Sequence, residues 1–170
     1  ASITMPNSVT SIEQSAFAYC YSLASITMPD GVTSIGQYAF SQCDSLESIT
    51  MPDGVTSIEQ SAFNDCDSLA SITMPNSVTS IEQSAFAYCY SLASITMPDG
   101  VTSIGRSSFV RCYCVAFYDF TAYTTVPTLA HTNAFTNIPA DCQIRVPAKL
   151  VDEWKAATNW STYASHIVGV

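Results

Sequence analysis

The feature that most constrains this chain is a 23-residue repeat. The string SITMP occurs at Ser2, Ser25, Ser48, Ser71 and Ser94, so successive copies start at a constant offset of 23. Residues 1–36 are also identical to residues 70–105. In an ordinary enzyme core each position has its own surroundings, whereas here the same side chains recur. The sequence therefore predicts a stack of equivalent units.

The apolar residues of the repeat fall into fixed columns separated by mostly polar positions. In the second copy these columns hold Leu23, Ile26, Met28, Val32, Ile35, Ala39, Phe40 and Cys43. The stretch from Ser25 to Met28 alternates polar and apolar residues, as in a half-buried strand, and Pro29 ends it. A single coil of this length cannot bury its apolar side chains alone, so the coils must stack. Stacked coils place their strands side by side in a parallel sheet.

The repeat resembles a known family at the pattern L-x-x-I-x-M-P-x-x-V-T-S-I-x-x-x-A-F-x-x-C, found at residues 23–43. It is similar to the BspA-like leucine-rich repeat, a 23-residue variety found in surface proteins of oral and gut bacteria. The resemblance implies an α/β-type repeat solenoid, a right-handed coil with one parallel β-sheet of short strands and irregular or short-helical returns. It also implies an extracellular location on the bacterial cell surface.

The repeat degrades toward the C-terminus. Ala134-Phe135 follows Ser108-Phe109 at an offset of 26 instead of 23, which indicates three inserted residues, expected between Thr121 and Thr132. Register returns at a predicted seventh strand, residues 143–146. We therefore divide the chain into five regular repeats (1–115), degenerate repeats with the insertion (116–147) and a helical C-terminal cap (148–170). Apolar residues at helical spacing predict a helix over residues 148–159, with a second short helix open for residues 161–167.

Two tryptophans, Trp154 and Trp160, fall in the predicted cap. A terminal coil would otherwise expose an open core, so we interpret them as plugs that cover it. Stacking of these rings on a sugar or a peptide is the functional alternative.

Five of the seven cysteines form one column of the repeat: Cys20, Cys43, Cys66, Cys89 and Cys112. Neighbouring members of a column point the same way, which favours small buried thiols over disulfides. Cys114 and Cys142 lie outside the column, and a bridge between them stays open. Together with Cys112 and His131 they match no common zinc spacing, so no metal or other cofactor is expected.

The sequence offers little support for catalysis. Neither His131 nor His166 lies in a recognisable motif, and no G-x-S-x-G sequence occurs. A catalytic residue needs a unique environment, whereas the serines and threonines recur in every copy. We therefore expect that the chain is not an enzyme, although a pair of carboxylates acting on a glycoside stays open.

The outward strand positions form the candidate binding surface. Its regular part consists of two columns: Ser25, Ser48, Ser71 and Ser94, and Thr27, Thr50, Thr73 and Thr96. More individual chemistry appears near the C-terminus, at Arg111, Tyr113, Phe117, Asp119 and Arg145. Aromatic residues and arginine dominate binding hot spots, so this end is the better candidate for a specific contact. The alternative is a purely structural role, in which the serines and threonines only favour strand formation and solubility.

Charge limits the partners. Five Lys and Arg against fourteen Asp and Glu give a net charge of −9, which disfavours nucleic acid. No apolar run is long enough for a membrane span. With the resemblance, these observations predict a non-catalytic adhesion module that binds a protein or glycan of a host or a neighbouring cell. A structural spacer that displays another domain is the alternative, and self-association through an uncapped N-terminal coil stays open.

Overall fold

Short strands recur along the whole chain in a computed structural model that describes residues 1–170. The strands are β1 (Ser2–Thr4), β2 (Ser11–Ile12), β3 (Ser25–Thr27), β4 (Ser34–Ile35), β5 (Ser48–Thr50), β6 (Ser57–Ile58), β7 (Ser71–Thr73), β8 (Ser80–Ile81), β9 (Ser94–Thr96), β10 (Ser103–Ile104), β11 (Phe117–Asp119), β12 (Thr128–Leu129), β13 (Gln143–Val146) and β14 (Ile167–Gly169). The helices are a 3₁₀ helix Ala148–Leu150, α1 (Val151–Ala156) and a 3₁₀ helix Trp160–Tyr163. The chain is thus a solenoid of parallel strands with a short helix near the C-terminus.

Two ladders of parallel strands run along the solenoid. The longer strands form the first ladder, in which equivalent residues of successive coils are partners, as in Ile3 with Ile26 and Ile49 with Ile72. The two-residue strands form the second ladder, where Ile81 pairs with both Ile58 and Ile104. The expected parallel sheet is confirmed, and the second ladder accounts for the three-residue spacing of Val32 and Ile35.

The return of each coil is a series of tight turns without a helix. Backbone amides there alternate between two kinds of acceptor: Ser41 N–H donates within its own coil to Tyr38 O at 3.1 Å, and Phe40 N–H donates to Ala62 O of the next coil at 2.8 Å. Of the two expected forms of return, the irregular one is present. These bonds add a third set of contacts between coils, on the side away from the strands.

The return segment of each coil, which we call the turn corner, requires a left-handed backbone at two positions. The chain carries no glycine at either of them. Positive φ values occur in two columns: Ser15, Tyr38, Ser61, Ser84 and Ser107 in one, and Tyr19, Gln42, Asp65, Tyr88, Arg111 and Asn137 in the other. For an L-residue this conformation costs about 1–2 kcal/mol. The corner therefore stores strain that the bonds between coils must offset.

A substitution at Ser84 tests that strain. Ser84 has φ of 56° and its amide donates to Arg106 O at 2.9 Å. Because a β-branched side chain tolerates positive φ worst, we expect Ser84→Val to lower the free energy of unfolding by about 1–2 kcal/mol or more. Ser84→Gly should not destabilise the chain, since glycine adopts this conformation freely. Equal stabilities of the two variants in urea unfolding would contradict the prediction.

The core is one continuous cluster of 47 buried residues. Its spine is a stack of phenylalanine rings: the centroids of Phe17, Phe40, Phe63 and Phe86 follow one another at 5.3, 5.3 and 5.4 Å, with nearly parallel planes. Phe109 and Phe135 continue the stack at 5.4 and 5.3 Å. Equivalent side chains of successive coils therefore lie directly above one another, as the repeat predicts.

The insertion lies where the sequence places it. Thr128 pairs with Ser103, an offset of 25 instead of 23, so two of the three extra residues precede β12. The amide of Phe109 donates to Ala134 O at 2.8 Å, so the hydrogen bonds between coils continue in the usual way after the third extra residue. Strand β13, Gln143–Val146, is the predicted seventh strand.

The C-terminal segment differs in part from the prediction. The helix is shorter than residues 148–159: α1 ends at Ala156, and Asn159 has φ of 66° while its side-chain amide donates to Leu129 O at 2.7 Å. The second short helix stops at Tyr163, and Ile167–Gly169 forms an unpredicted strand beside β13. Both tryptophans are buried over the last coil, as plugs should be. None of the helices combines the length and apolarity needed to cross a bilayer.

Candidate binding surfaces

The Ser and Thr columns lie on the outer side of the first ladder. Every one of these eight residues is exposed except Ser94, which is half-buried, while the isoleucine between each pair points into the core. We call this surface the strand face. It carries hydroxyl groups at regular spacing and, as far as Thr96, no charged residue on a strand. Its uniformity follows directly from the repeat.

The strand face changes character on β11 and β13. Phe117 and Asp119 replace Ser94 and Thr96 on β11, and Arg145 is the partner of Asp119 on β13. The guanidinium carbon of Arg145 lies 3.9 Å from the centroid of the Phe117 ring, a cation–π contact. Arg145 Nε also donates to Gln143 Oε1 at 3.0 Å. We call Phe117, Asp119 and Arg145 the C-terminal patch.

Arg111 and Tyr113 belong to a different surface. Arg111 lies 5.5 Å from the centroid of the Tyr88 ring, and the ring of Tyr113 stacks on that of Tyr90 at 5.5 Å. These contacts lie at the turn corner, before the strand begins. The structure therefore divides the five C-terminal candidates between two surfaces, and it adds Tyr88 and Tyr90, which were not among the residues predicted from the sequence. The sequence could have indicated these two tyrosines, because Tyr88 and Tyr90 occupy the same repeat columns as Arg111 and Tyr113, one copy earlier.

Acidic side chains occupy the same columns in the second and third coils. Asp44 and Asp67 share a column with Tyr21, Tyr90 and Tyr113, and Asp65 shares one with Tyr19, Tyr88 and Arg111. Burial raises the pKa of Asp65, which the hydrogen bond from Asn64 lowers in part, and the charge of Asp44 raises it further. Burial also raises the pKa of Asp67, with further increases from the other two carboxylates. The corner is thus acidic in the second and third coils and aromatic in the first coil and in the later ones.

The cysteine column has a structural role that the sequence did not reveal. Each thiol from Cys43 onward donates to the carbonyl of a phenylalanine in the coil before it: Cys43 to Phe17 O at 3.2 Å, Cys66 to Phe40 O at 3.1 Å, Cys89 to Phe63 O at 3.2 Å and Cys112 to Phe86 O at 3.3 Å. These bonds satisfy buried carbonyls beside the ring stack. All seven cysteines are free, so the open Cys114–Cys142 bridge is absent.

Thiol reactivity should distinguish one cysteine from the rest. Burial raises the pKa of Cys43, Cys112 and Cys142 to about 12 each and also raises the pKa of Cys66 and Cys89, so their reactive thiolates are scarce. Cys114 is exposed and Cys20 is half-buried.

We expect a disulfide reagent at mildly alkaline pH to label Cys114 quickly, Cys20 more slowly, and the five buried thiols only after unfolding. Cys114→Ser should remove the fast phase. A fast phase that survives this substitution would show that the column is open to solvent.

The two sides of one strand give a direct test of the strand face. Thr50 is exposed and Ile49 is 3% exposed. We expect Thr50→Lys to change the free energy of unfolding by less than about 0.5 kcal/mol. Ile49→Lys should destabilise the chain severely, because it buries a charge without a partner. Thermal or urea unfolding of the two variants checks the assignment, and an unfolded Thr50→Lys chain would contradict it.

The two histidines differ in their surroundings. His131 is exposed, and the Nδ1 atom of half-buried His166 lies 2.9 Å from Cys142 O. No group of three or more His, Cys, Asp or Glu residues is placed to hold a metal ion.

Comparison with known proteins agrees with this architecture. The crystal structure of the T. pallidum leucine-rich repeat protein TpLRR matches with a TM-score of 0.70 and 29% identity, over 85% of this chain and 71% of that protein. A leucine-rich repeat protein from Bacteroides ovatus matches with a TM-score of 0.72 and 30% identity, over 84% of this chain and 38% of that one. The pneumococcal vaccine antigen PcpA shares the fold at 16% identity, with a TM-score of 0.62 over 99% of this chain and 54% of its own.

The family itself is identified from the sequence. No curated protein matches the chain. The model of the BspA type leucine-rich repeat region matches residues 1–116 in six copies, which is more than half of the chain. The resemblance read from the repeat pattern is thereby confirmed. This chain belongs to the BspA-type leucine-rich repeat family.

Proposed function

We propose that this chain is a non-catalytic adhesion module of a bacterial cell surface, which binds a protein or glycan of a host or a neighbouring cell. The observation that carries the proposal is the C-terminal patch, where a uniform hydroxyl face gives way to Arg145 stacked 3.9 Å over Phe117. Arginine and aromatic side chains are the residues that most often dominate binding energy. The net charge of −9 argues against a nucleic-acid partner.

Three residues would make the decisive contacts. Phe117, Asp119 and Arg145 are each half-buried, so part of each side chain is already held in place before a partner arrives. Asp119 is also fixed by a hydrogen bond that its Oδ1 accepts from Thr121 N–H at 2.9 Å. Preorganised side chains lose less conformational entropy on binding. Membership of the BspA-type family supports an extracellular or surface location.

A binding assay on intact cells and matrix components tests the proposal. Beads coated with the chain are offered to epithelial cells, other bacteria, matrix proteins and mucin glycans, and retention is counted. The double variant Phe117→Ala, Arg145→Ala should reduce the apparent affinity by about 30-fold, the loss of one hot spot of about 2 kcal/mol. The matched control is Ser71→Ala, Ser94→Ala, which alters the same face in the regular repeats and should leave retention unchanged.

The alternative is a spacer that displays another domain, and the uniform Ser and Thr columns are the observation that favours it. Beads that bind no cell, protein or glycan would support the spacer and contradict adhesion. Retention that is unaffected by the double variant would place the contact away from the C-terminal patch.

Self-association is a further part of the proposal. Ile3 on β1 is 37% exposed, whereas its counterpart Ile26 on β3 is 7% exposed, so the Ile3 side chain is open to contact with a second copy. Sedimentation velocity should detect a dimer that Ile3→Lys abolishes. A chain that sediments as a monomer at all concentrations would remove this part.

A further inference from the structure

The first ladder opens at two places between neighbouring coils. Strand β3 pairs with β1 and β5 pairs with β7, but β3 and β5 are not hydrogen-bonded to each other. The same is true of β7 and β9. The ladder is therefore three paired groups separated by two openings, rather than one continuous sheet.

The openings leave two backbone amides without a protein partner. Where coils are paired, the methionine amide donates across the ladder: Met5 to Thr27 O at 3.2 Å, Met51 to Thr73 O at 3.0 Å and Met97 to Asp119 O at 2.9 Å. The equivalent amides of Met28 and Met74 donate to no protein acceptor, although each of these residues is only 9% exposed. An amide without a protein partner bonds to water or to a ligand, so these two donors are available to a ligand.

Each opening is also a cleft in the strand face. The first cleft has a volume of about 380 Å³, with Met28 at its floor, hydroxyls of Thr27 and Thr50 on its two sides and Asp30 at its rim. Small-molecule sites commonly occupy about 300–1,000 Å³. The first cleft is therefore large enough for a small ligand.

The second cleft repeats the first with one change. It has a volume of about 250 Å³ and is formed by Met74, Thr73 and Thr96, with Asn76 where the first cleft has Asp30. A proline also lines each cleft, at Pro52 and Pro98. The chain thus contains two related clefts whose rims differ in charge.

The chemistry of the clefts indicates a neutral ligand rich in hydroxyl groups. The walls offer hydroxyls that both donate and accept, the floor offers an amide donor and an apolar methionine, and the rim offers an acceptor oxygen. No lysine, arginine or histidine lines either cleft, so nothing there favours an anion. A cation would favour Asp30 over Asn76, whereas a sugar can use either rim. Sugar hydroxyls can replace the water that otherwise satisfies such groups.

We propose that the two clefts between β3 and β5 and between β7 and β9 bind neutral saccharide units. This inference rests on the proposed function and adds to the C-terminal patch a second contact, for a neutral glycan. The two clefts lie two coils apart on one face, so a single glycan chain or two branches of one glycan can engage both. Two weak sites joined in this way give an affinity above that of either site alone.

The methionines provide a direct readout, because all five lie in this one column. The chain is labelled with ¹³C at the methionine methyl groups, and each of the five signals is assigned by a single Met→Leu substitution. Cellobiose, lactose and N,N′-diacetylchitobiose are then titrated in turn. We expect saturable shifts of the Met28 and Met74 signals with at least one of these sugars. The signals of Met51 and Met97, which are 3% and 1% exposed beneath paired coils, should not shift.

Single substitutions at the rims separate the clefts. Asp30→Ala should weaken binding at Met28 roughly tenfold or more while leaving the Met74 titration unchanged, since a hydrogen bond to a carboxylate is lost. Asn76→Ala should affect only Met74. Asp30→Asn gives the first cleft the rim of the second and should retain binding. No saturable shift with any of the three sugars overturns the proposal, as do equal shifts at Met51 and Met97.

Charged probes complete the test. Glucuronic acid and a short lysine peptide are titrated under the same conditions. Saturable binding of the lysine peptide at Met28 alone, without binding of the sugars, would assign the first cleft to a cation and overturn the proposal. Failure here is distinguishable from failure of the proposed function: beads that retain cells while the sugars leave Met28 and Met74 unshifted contradict only the saccharide clefts.

Discussion

Phe86→Ala is expected to lower the free energy of unfolding by about 3–5 kcal/mol. The Phe86 ring is fully buried and stacks on Phe63 at 5.4 Å and on Phe109 at 5.4 Å. Its removal leaves a void in the middle of a stack that the neighbouring backbone holds in register, so the void cannot readily collapse. The carbonyl of Phe86 also accepts a hydrogen bond from the thiol of Cys112, and any shift of the backbone would weaken this bond.

The chain contains its own matched control for this substitution. Phe17 lies in the same sequence context as Phe86, because residues 1–36 and 70–105 are identical. Phe17 is only half-buried and stacks on one ring, that of Phe40, at 5.3 Å. The Phe17 ring buries less apolar area on folding than the Phe86 ring, because only one of its sides is covered. Phe17→Ala should therefore lower the free energy of unfolding by roughly half as much as Phe86→Ala, or less.

Urea unfolding followed by far-UV circular dichroism and by tryptophan fluorescence measures both variants. Two probes are needed because the coils of a repeat protein can unfold separately, and both tryptophans lie at the C-terminal end. Equal losses for Phe17→Ala and Phe86→Ala would contradict the stacked core, since the sequences around the two rings do not differ.

Most of the solenoid could be predicted because the repeat length and the fixed positions of the apolar residues determine the strands and their stacking. Alternation around Ile26 predicts the strand, Pro29 predicts its end, and the constant repeat length predicts the parallel stacking of Phe40 on Phe63. The seventh strand at Gln143–Val146 followed from the recovered register. Each of these predictions uses a pattern that several copies share, so an atypical residue in one copy does not change the prediction.

The openings of the strand ladder could not be predicted by the same means. Met5 and Met74 lie in identical sequences, yet the Met5 amide donates to Thr27 O and the Met74 amide has no partner. Local sequence therefore does not decide whether two coils pair; the coils on either side of them must contribute. Pairing in the first ladder is a property of the array rather than of one repeat.

The C-terminal segment was predicted less well because it occurs only once. Helical spacing identified the burial of Trp154, but the helix end depends on Asn159, whose side chain reaches Leu129 O across the fold. Strand β14 lacks the alternating pattern of the repeats and owes its position to pairing with β13. The division of the candidate residues followed the same rule, since Arg111 and Arg145 meet aromatic partners on different surfaces.

Trp160→Ala is the second substitution expected to have a large effect, about 3–5 kcal/mol of the free energy of unfolding. Trp160 is 1% exposed, and its ring lies 5.6 Å from Phe120, 5.6 Å from Phe135 and 4.6 Å from Trp154. Its indole N–H donates to Pro127 O at 2.8 Å. The residue thus closes the end of the ring stack and ties the inserted loop to it.

Conversion of each tryptophan to phenylalanine separates packing from hydrogen bonding. Both indoles are fully buried, but Trp154 Nε1 has no hydrogen-bond partner, whereas Trp160 Nε1 bonds to Pro127 O. Trp154→Phe removes an unsatisfied donor, and Trp160→Phe leaves the Pro127 carbonyl without its partner. We therefore expect Trp160→Phe to be the more destabilising by about 1–3 kcal/mol in urea unfolding followed by circular dichroism. The reverse order would mean that the Pro127 contact contributes little and that the cap is held by ring packing alone.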